Sequence, residues 1–210
     1  MTSLVRQLIL ANVLVFGLQQ VVSDGLLTHF ALWPLGRHYV LGGGFVGFEP
    51  WQLISYSFLH GGVAHIALNM YALYMFGGMV ERVLGTRRFA WVYFASVLAG
   101  GLVQLVVVTM TRDQGIAPTV GASGGVFGVL LAFAMLFPHS RVMLLFPPIP
   151  MKAWMLVAGY AAIELTSGVM GSSQGVAHFA HLGGMLGAAI VMFAIGYRKR
   201  VQPPGDLRGP

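Results

Sequence analysis

The chain has 210 residues, 57% hydrophobic and 9% charged, with a mean hydropathy of +0.78. A soluble domain carries about a quarter charged residues, and six acidic side chains cannot solvate a globular surface, so a soluble fold is excluded. The formal charge of +6 would suggest nucleic acid in a soluble protein, but here the basic residues lie between apolar segments and read as topology signals, while the lack of cysteine excludes disulfides and thiolate metal sites.

Six apolar stretches approach the roughly 20 residues that cross a bilayer. They cover residues 4–22, 63–80, 89–109, 123–137, 153–170 and 178–197. The prediction is an all-α integral membrane bundle of six transmembrane helices, forming one domain over residues 1–200. A disordered cytoplasmic tail is expected over residues 201–210, where Pro203, Pro204 and Gly205 cluster. Arg6 precedes the first apolar run, as in a signal peptide. No small-residue cleavage site follows and further spans do, so this segment reads as an uncleaved first helix.

The basic residues are unevenly placed on this frame. Arg6, Arg82, Arg87, Arg88, Arg141, Lys152, Arg198, Lys199, Arg200 and Arg208 fall on one side, and only Arg37 and Arg112 on the other. That bias puts both termini in the cytoplasm.

Two segments depart from a plain bundle. Residues 23–49 form a long outer loop, rich in glycine (Gly42, Gly43, Gly44, Gly47) and apolar at Leu32, Trp33 and Leu35. Such a loop is expected to lie in or dip into the interface as non-helical backbone buried against protein. The fourth stretch is short, running only from Ser123 to Pro138, so its helix must start below the outer surface. Gly115, Ala117, Pro118 and Gly121 let the chain descend to that point without helix.

The polar residues inside these stretches carry the chemistry. Ser123 stands in Gly121-Ala122-Ser123-Gly124, with Gly125 and Gly128 following, so its hydroxyl has few neighbours. Gly124 and Gly128 form a small-residue face that lets another helix approach. The bland alternative is a serine bonded back to its own backbone. His181 opens the last stretch, with Ala180, Gly183, Gly184 and Gly187 offering a second close-packing face. Contact between those faces would bring His181 to Ser123 as its base; alone, it would be a packing histidine.

His65 and Asn69 are spaced i, i+4 and share one face of the second stretch. Either they donate hydrogen bonds to an oxyanion or they clamp two helices together. His60 falls off that face and reads as structural. His178 and His181 form an H-x-x-H pair, but two histidines without a third ligand make a poor metal site. Glu164 is the one acidic residue deep in a stretch; a third catalytic member is one reading of it, and a structural or gating role suits it best. Glu81, at the inner end of the second stretch, reads as a helix cap.

Taken together and in order, His60, His65 with Asn69, Gly121-Ala122-Ser123-Gly124, and Ala180-His181 followed by glycine resemble the rhomboid family of intramembrane serine proteases. The resemblance runs from Arg6 to Tyr197. It implies that Ser123 is the nucleophile and His181 the base of a dyad without an acid. The Ser123 N–H, His65 and Asn69 would form the oxyanion hole, and Gly184 would carry the close contact between the fourth and sixth helices. It implies single-span membrane proteins as substrates, cut near the outer end of their helix. Residues 171–175 resemble the family's cap loop. Two positions depart from the pattern. Gln52 follows Trp51 where many members have arginine, and Phe127 stands where a tyrosine often packs on the histidine.

No cofactor, metal or nucleic-acid partner is expected; the partners are transmembrane substrates and the lipid bilayer. The expected location is multi-pass in a bacterial inner membrane. A polytopic transporter or metal-binding membrane protein, and a catalytically silent rhomboid relative, are the alternatives.

Overall fold

The computed structural model describes residues 2–39, 44–110, 117–143, 148–171 and 177–197. Apolar runs without proline become helices. In chain order the elements are α1 (Ser3–Gln19), α2 (Ser23–Phe30), a hairpin of β1 (Arg37–Tyr39) and β2 (Phe45–Gly47), and α3 (Gln52–Ser55) with a 3-10 turn at Tyr56–Phe58. Then come α4 (Val63–Ala72), a π turn (Leu73–Gly77) and α5 (Gly78–Leu84), forming one continuous helix, followed by α6 (Thr86–Met110) and α7 (Ser123–Leu136). A second hairpin, β3 (Arg141–Met143) with β4 (Pro150–Lys152), leads to α8 (Ala153–Met170) and α9 (His178–Ala194).

Each predicted apolar stretch overlaps one of these helices. Val63–Leu84, Thr86–Met110 and Ala153–Met170 are long and apolar enough to cross a membrane, while Ser3–Gln19, Ser123–Leu136 and His178–Ala194 are shorter. Their outer faces expose large apolar side chains, among them Leu14, Val106, Ile163, Ile190 and Phe193. That much apolar surface needs lipid, not water, around it. The tail, the inner part of the first hairpin loop and residues 172–175 of the expected cap lie outside the described residues.

The core is the packing of α9 between α6 and α7. Apolar burial gives helices little reason to associate in lipid, so close van der Waals packing must do it. The two small-residue faces of α9 serve different neighbours. Gly184 faces α7, where an added Cβ would collide with the Gly124 carbonyl. Gly183 faces α6, where an added Cβ would stand 2.8 Å from the Ala99 carbonyl oxygen.

The first loop differs from the expectation of irregular backbone: it holds α2 and an antiparallel hairpin pairing Arg37 with Gly47. Regular structure satisfies its own backbone groups, which a buried irregular loop cannot do. Gln52, almost fully buried, staples the loop. Its Oε1 accepts from the Trp33 N–H at 3.2 Å, and its Nε2 donates to the Gly47 carbonyl at 3.2 Å and the His29 carbonyl at 3.4 Å. A neutral amide therefore ties the loop together here. Leu32 pairs with Thr119 through backbone bonds, so the loop also anchors the segment leading into α7.

Glu81 caps a helix, as expected, but not its own. Its carboxylate accepts from the Leu4 and Val5 N–H groups, both at 3.1 Å, and from the Thr86 hydroxyl at 2.9 Å. A carboxylate at the first turn of α1 meets the positive end of that helix.

Candidate active site

The helix α7 is short. Its 14 residues span about 21 Å at 1.5 Å per residue, less than the roughly 30 Å hydrocarbon core. Ser123 is its first residue, and the N-cap Ala122 provides no side-chain acceptor for the first-turn N–H groups. Gly121 precedes them at φ +127°, a conformation that side-chain-bearing residues rarely adopt. A Cβ there would also stand 2.8 Å from the His65 Nε2. Gly121 thus serves both the turn into α7 and the seat of a second histidine.

His181 lies in the first turn of α9. Its Nε2 and the Ser123 Oγ are 2.7 Å apart. The imidazole is stacked on Phe127, with ring centroids 4.2 Å apart and planes 7° apart. Tyr160 of α8 in turn meets Phe127 edge-on at 5.8 Å.

Ser123, His181, His65 and Asn69 line one cavity of about 1550 Å³. The Gly61 N–H donates to His65 Nδ1 at 3.3 Å, so in the neutral ring the proton sits on Nε2, the edge nearest Gly121. Asn69 uses one amide hydrogen on the His65 carbonyl at 2.9 Å, one turn back on its own helix. That bond turns the amide along α4 and leaves a second N–H.

His60 is buried and lies outside the lining of this cavity. Its backbone is held in both directions by Gln19 of α1, which donates to the His60 carbonyl at 2.8 Å and accepts from its N–H at 3.1 Å. The ring packs on Phe16 and His65, and its Nε2 accepts a long bond of 3.5 Å from the Ala122 N–H. It therefore braces the wall behind the site. Gln19 went unremarked in the sequence, where a polar residue at the end of an apolar run was the available signal.

Glu164 of α8 reaches the site, which sequence distance alone did not show. Its Oε2 is 2.6 Å from His178 Nδ1 and 3.0 Å from His181 Nδ1. Among the described residues, no three His, Asp or Glu side chains are grouped so as to hold a metal ion. The two histidines instead aim their Nδ1 atoms at one carboxylate oxygen.

Residues 47–198 match the Rhomboid domain. The chain belongs to the rhomboid family. It is 33% identical over 185 residues to the mitochondrial Rhomboid protein 1 of Saccharomyces cerevisiae, covering 88% of this chain and 51% of that protein. It is 30% identical over 188 residues to the mitochondrial presenilin-associated rhomboid-like protein of Mus musculus, covering 87% and 46%. It is 31% identical over 154 residues to the rhomboid protease GluP of Bacillus subtilis, covering 72% and 27%. The chain thus spans about half the length, or less, of these rhomboid relatives. Two of the three carry mitochondrial names, in conflict with the expected bacterial inner membrane, so that expectation is corrected to membrane protein alone.

Proposed function

We propose that the chain is an intramembrane serine endopeptidase that cuts single-span membrane proteins near the outer end of their helix. The observation that carries this reading is the 2.7 Å approach of His181 Nε2 to Ser123 Oγ on the wall of a large cavity. In the reading, six helices cross the membrane with both termini on the cytoplasmic side, following the charge bias of the loops. The cavity also runs past Met75 and Met79 on one side and Leu156 and Tyr160 on the other, which gives a substrate helix a lateral way in between α4–α5 and α8.

A substrate helix enters and unwinds at the serine. His181 Nε2 takes the Ser123 hydroxyl proton as Oγ bonds to the scissile carbonyl carbon. The carbonyl oxygen becomes an oxyanion, held by the Ser123 N–H, the His65 Nε2–H and the free Asn69 N–H. The peptide C–N bond breaks as His181 returns the proton to the leaving nitrogen. Water, deprotonated by the same imidazole, then releases the acyl group and restores Ser123.

The test is cleavage of a generic single-span substrate by purified wild type, Ser123→Ala and His181→Ala. Cleavage by wild type alone, unchanged by a metal chelator, is the expected result. The rival transporter reading predicts no covalent labelling of Ser123 by a fluorophosphonate. A silent relative would bind the substrate helix and cut nothing.

A further inference from the structure

Glu164 sits where a serine–histidine pair would take a third member. It projects from α8 toward the first turn of α9, where His178 and His181 share a face at i, i+3. The close approach has a local cause. Gly168, one turn along α8 from Glu164, lies against α9, and a Cβ there would be 2.9 Å from the Phe179 ring and 3.3 Å from the His178 Cβ. Glu164 itself is buried, with 7% of its surface exposed.

The chemistry of the contact is asymmetric. His181 Nδ1 is fully buried and has no aligned hydrogen-bond partner among the described residues. Glu164 Oε2 is 3.0 Å away, but off the N–H direction, and the same oxygen takes the shorter 2.6 Å contact from His178. Bonds of this kind in substrate-free sites are commonly long or poorly aligned and tighten as charge develops. A carboxylate only accepts. It therefore favours the His181 tautomer with the proton on Nδ1, which leaves the Nε2 lone pair facing the Ser123 hydroxyl. The opposite tautomer would present an N–H to Ser123 and could not take its proton.

We propose that Glu164 is a positioning residue of the site: its carboxylate selects the Nδ1–H tautomer of His181 and stabilises the imidazolium formed when Ser123 gives up its proton. This rests on the reading of Ser123 and His181 as nucleophile and base. It replaces a pair without an acid by a Ser123–His181–Glu164 relay of contacts. No proton passes to Glu164; its negative charge faces the positive ring while the proton resides on Nε2. His178 holds the same oxygen from the other side and fixes where the carboxylate stands.

The experiment compares wild type with Glu164→Gln and His178→Gln, with Ser123→Ala and His181→Ala as reference. It reads kcat and KM on a single-span substrate, the rate of fluorophosphonate labelling of Ser123, and the thermal unfolding midpoint. Glu164→Gln is expected to lower kcat and the labelling rate by at least about tenfold, and at most on the order of the 10⁴-fold lost when a soluble triad loses its acid. KM and the midpoint should hold. His178→Gln, whose amide N–H can still donate to the carboxylate, should lower kcat less than Glu164→Gln does. Wild-type kcat in Glu164→Gln overturns the proposal. So does a joint fall of both Gln variants with a lowered midpoint and raised KM, the signature of a mere staple between α8 and α9. Nitrogen-15 NMR of histidine-labelled wild type, with His181→Ala for assignment, needs no Glu164 variant: a neutral His181 protonated on Nδ1 is expected, and one protonated on Nε2 overturns the proposal. Full cleavage by His181→Ala would instead sink the underlying serine–histidine reading.

Discussion

Phe127 lies flat against His181, 4.2 Å away between centroids and 7° from parallel. The stack fixes the plane in which Nε2 meets Ser123, and it does so without the hydroxyl that a tyrosine would add. Tyr160 closes the other edge of the phenyl ring. A stacked aromatic pair contributes about 0.5–1.5 kcal/mol. If all of that orients the imidazole in the transition state, its loss is roughly a 2- to 13-fold fall in rate. Phe127→Leu should therefore lower kcat by about that factor, and Phe127→Tyr should keep it. Steady-state cleavage kinetics of the two variants check this; equal activity in Phe127→Leu would remove the stack from the mechanism.

Asn69 spends one N–H on the carbonyl one turn back and keeps another on the cavity side of α4. A donor aimed at an oxyanion acts only once the charge has formed, so its removal should fall on kcat and spare KM. Asn69→Ala is expected to cost roughly 100- to 1,000-fold in kcat, the range for a single oxyanion donor. Among the described residues the amide bonds only its own helix, so the unfolding midpoint should change little. A rise in KM with kcat intact would assign Asn69 to substrate binding instead.

Gly184 is the point where α9 rests on α7 backbone to backbone. A Cβ at this position would collide with the Gly124 carbonyl and stand 3.0 Å from the Gly124 Cα. Backbone cannot rotate aside as a side chain can, so the helices must separate. Overpacking of this kind costs about 1–3 kcal/mol, and a shift of about 1 Å between reacting groups can cost about 100-fold in rate. Gly184→Ala should lower both the unfolding midpoint and the activity. Gly159 of α8 has open space around it, so Gly159→Ala is the control: activity should be unchanged and the midpoint equal or slightly raised, as alanine favours helix over glycine. Indistinguishable behaviour of the two variants would mean that α7 and α9 are not held this closely.

The approach of Ser123 to His181 was legible because small residues mark it on both helices: Gly124 and Gly128 on one, Ala180 and Gly184 on the other. Glycine faces announce where membrane helices can touch, and touching helices carry their first-turn side chains together. Glu164 was not legible in the same way. Its reach to His181 depends on the tilt of α8 against α9, which a single glycine at Gly168 permits but no repeated pattern advertises. The first loop misled for another reason. Its glycines and apolar residues read as irregular backbone, whereas the chain forms a short helix and a hairpin that pairs Arg37 with Gly47, and Leu32 beside them pairs with Thr119 far along the chain. Gln52 read only as a departure from the family pattern, because its three bonds go to backbone groups that sequence does not locate.

Glu81 joins three helices at the end of the bundle far from Ser123. From α5 it accepts two N–H groups of the first turn of α1 and the Thr86 hydroxyl at the start of α6. It is almost fully buried, so removing it leaves those donors without a partner. A bond to a charged group contributes about 1.5–3 kcal/mol, and unsatisfied buried donors add about 1–3 kcal/mol each. Partial rearrangement toward water reduces the sum, so Glu81→Ala should destabilise by about 2–4 kcal/mol. Glu81→Gln keeps one acceptor oxygen and loses the charge, so it should fall between wild type and Ala. Neither variant touches Ser123, so kcat at a temperature where both are folded should stay near wild type. Thermal unfolding in detergent, run beside cleavage assays, separates the two effects. A kcat loss at unchanged unfolding midpoint would contradict the capping role and make Glu81 part of the working site.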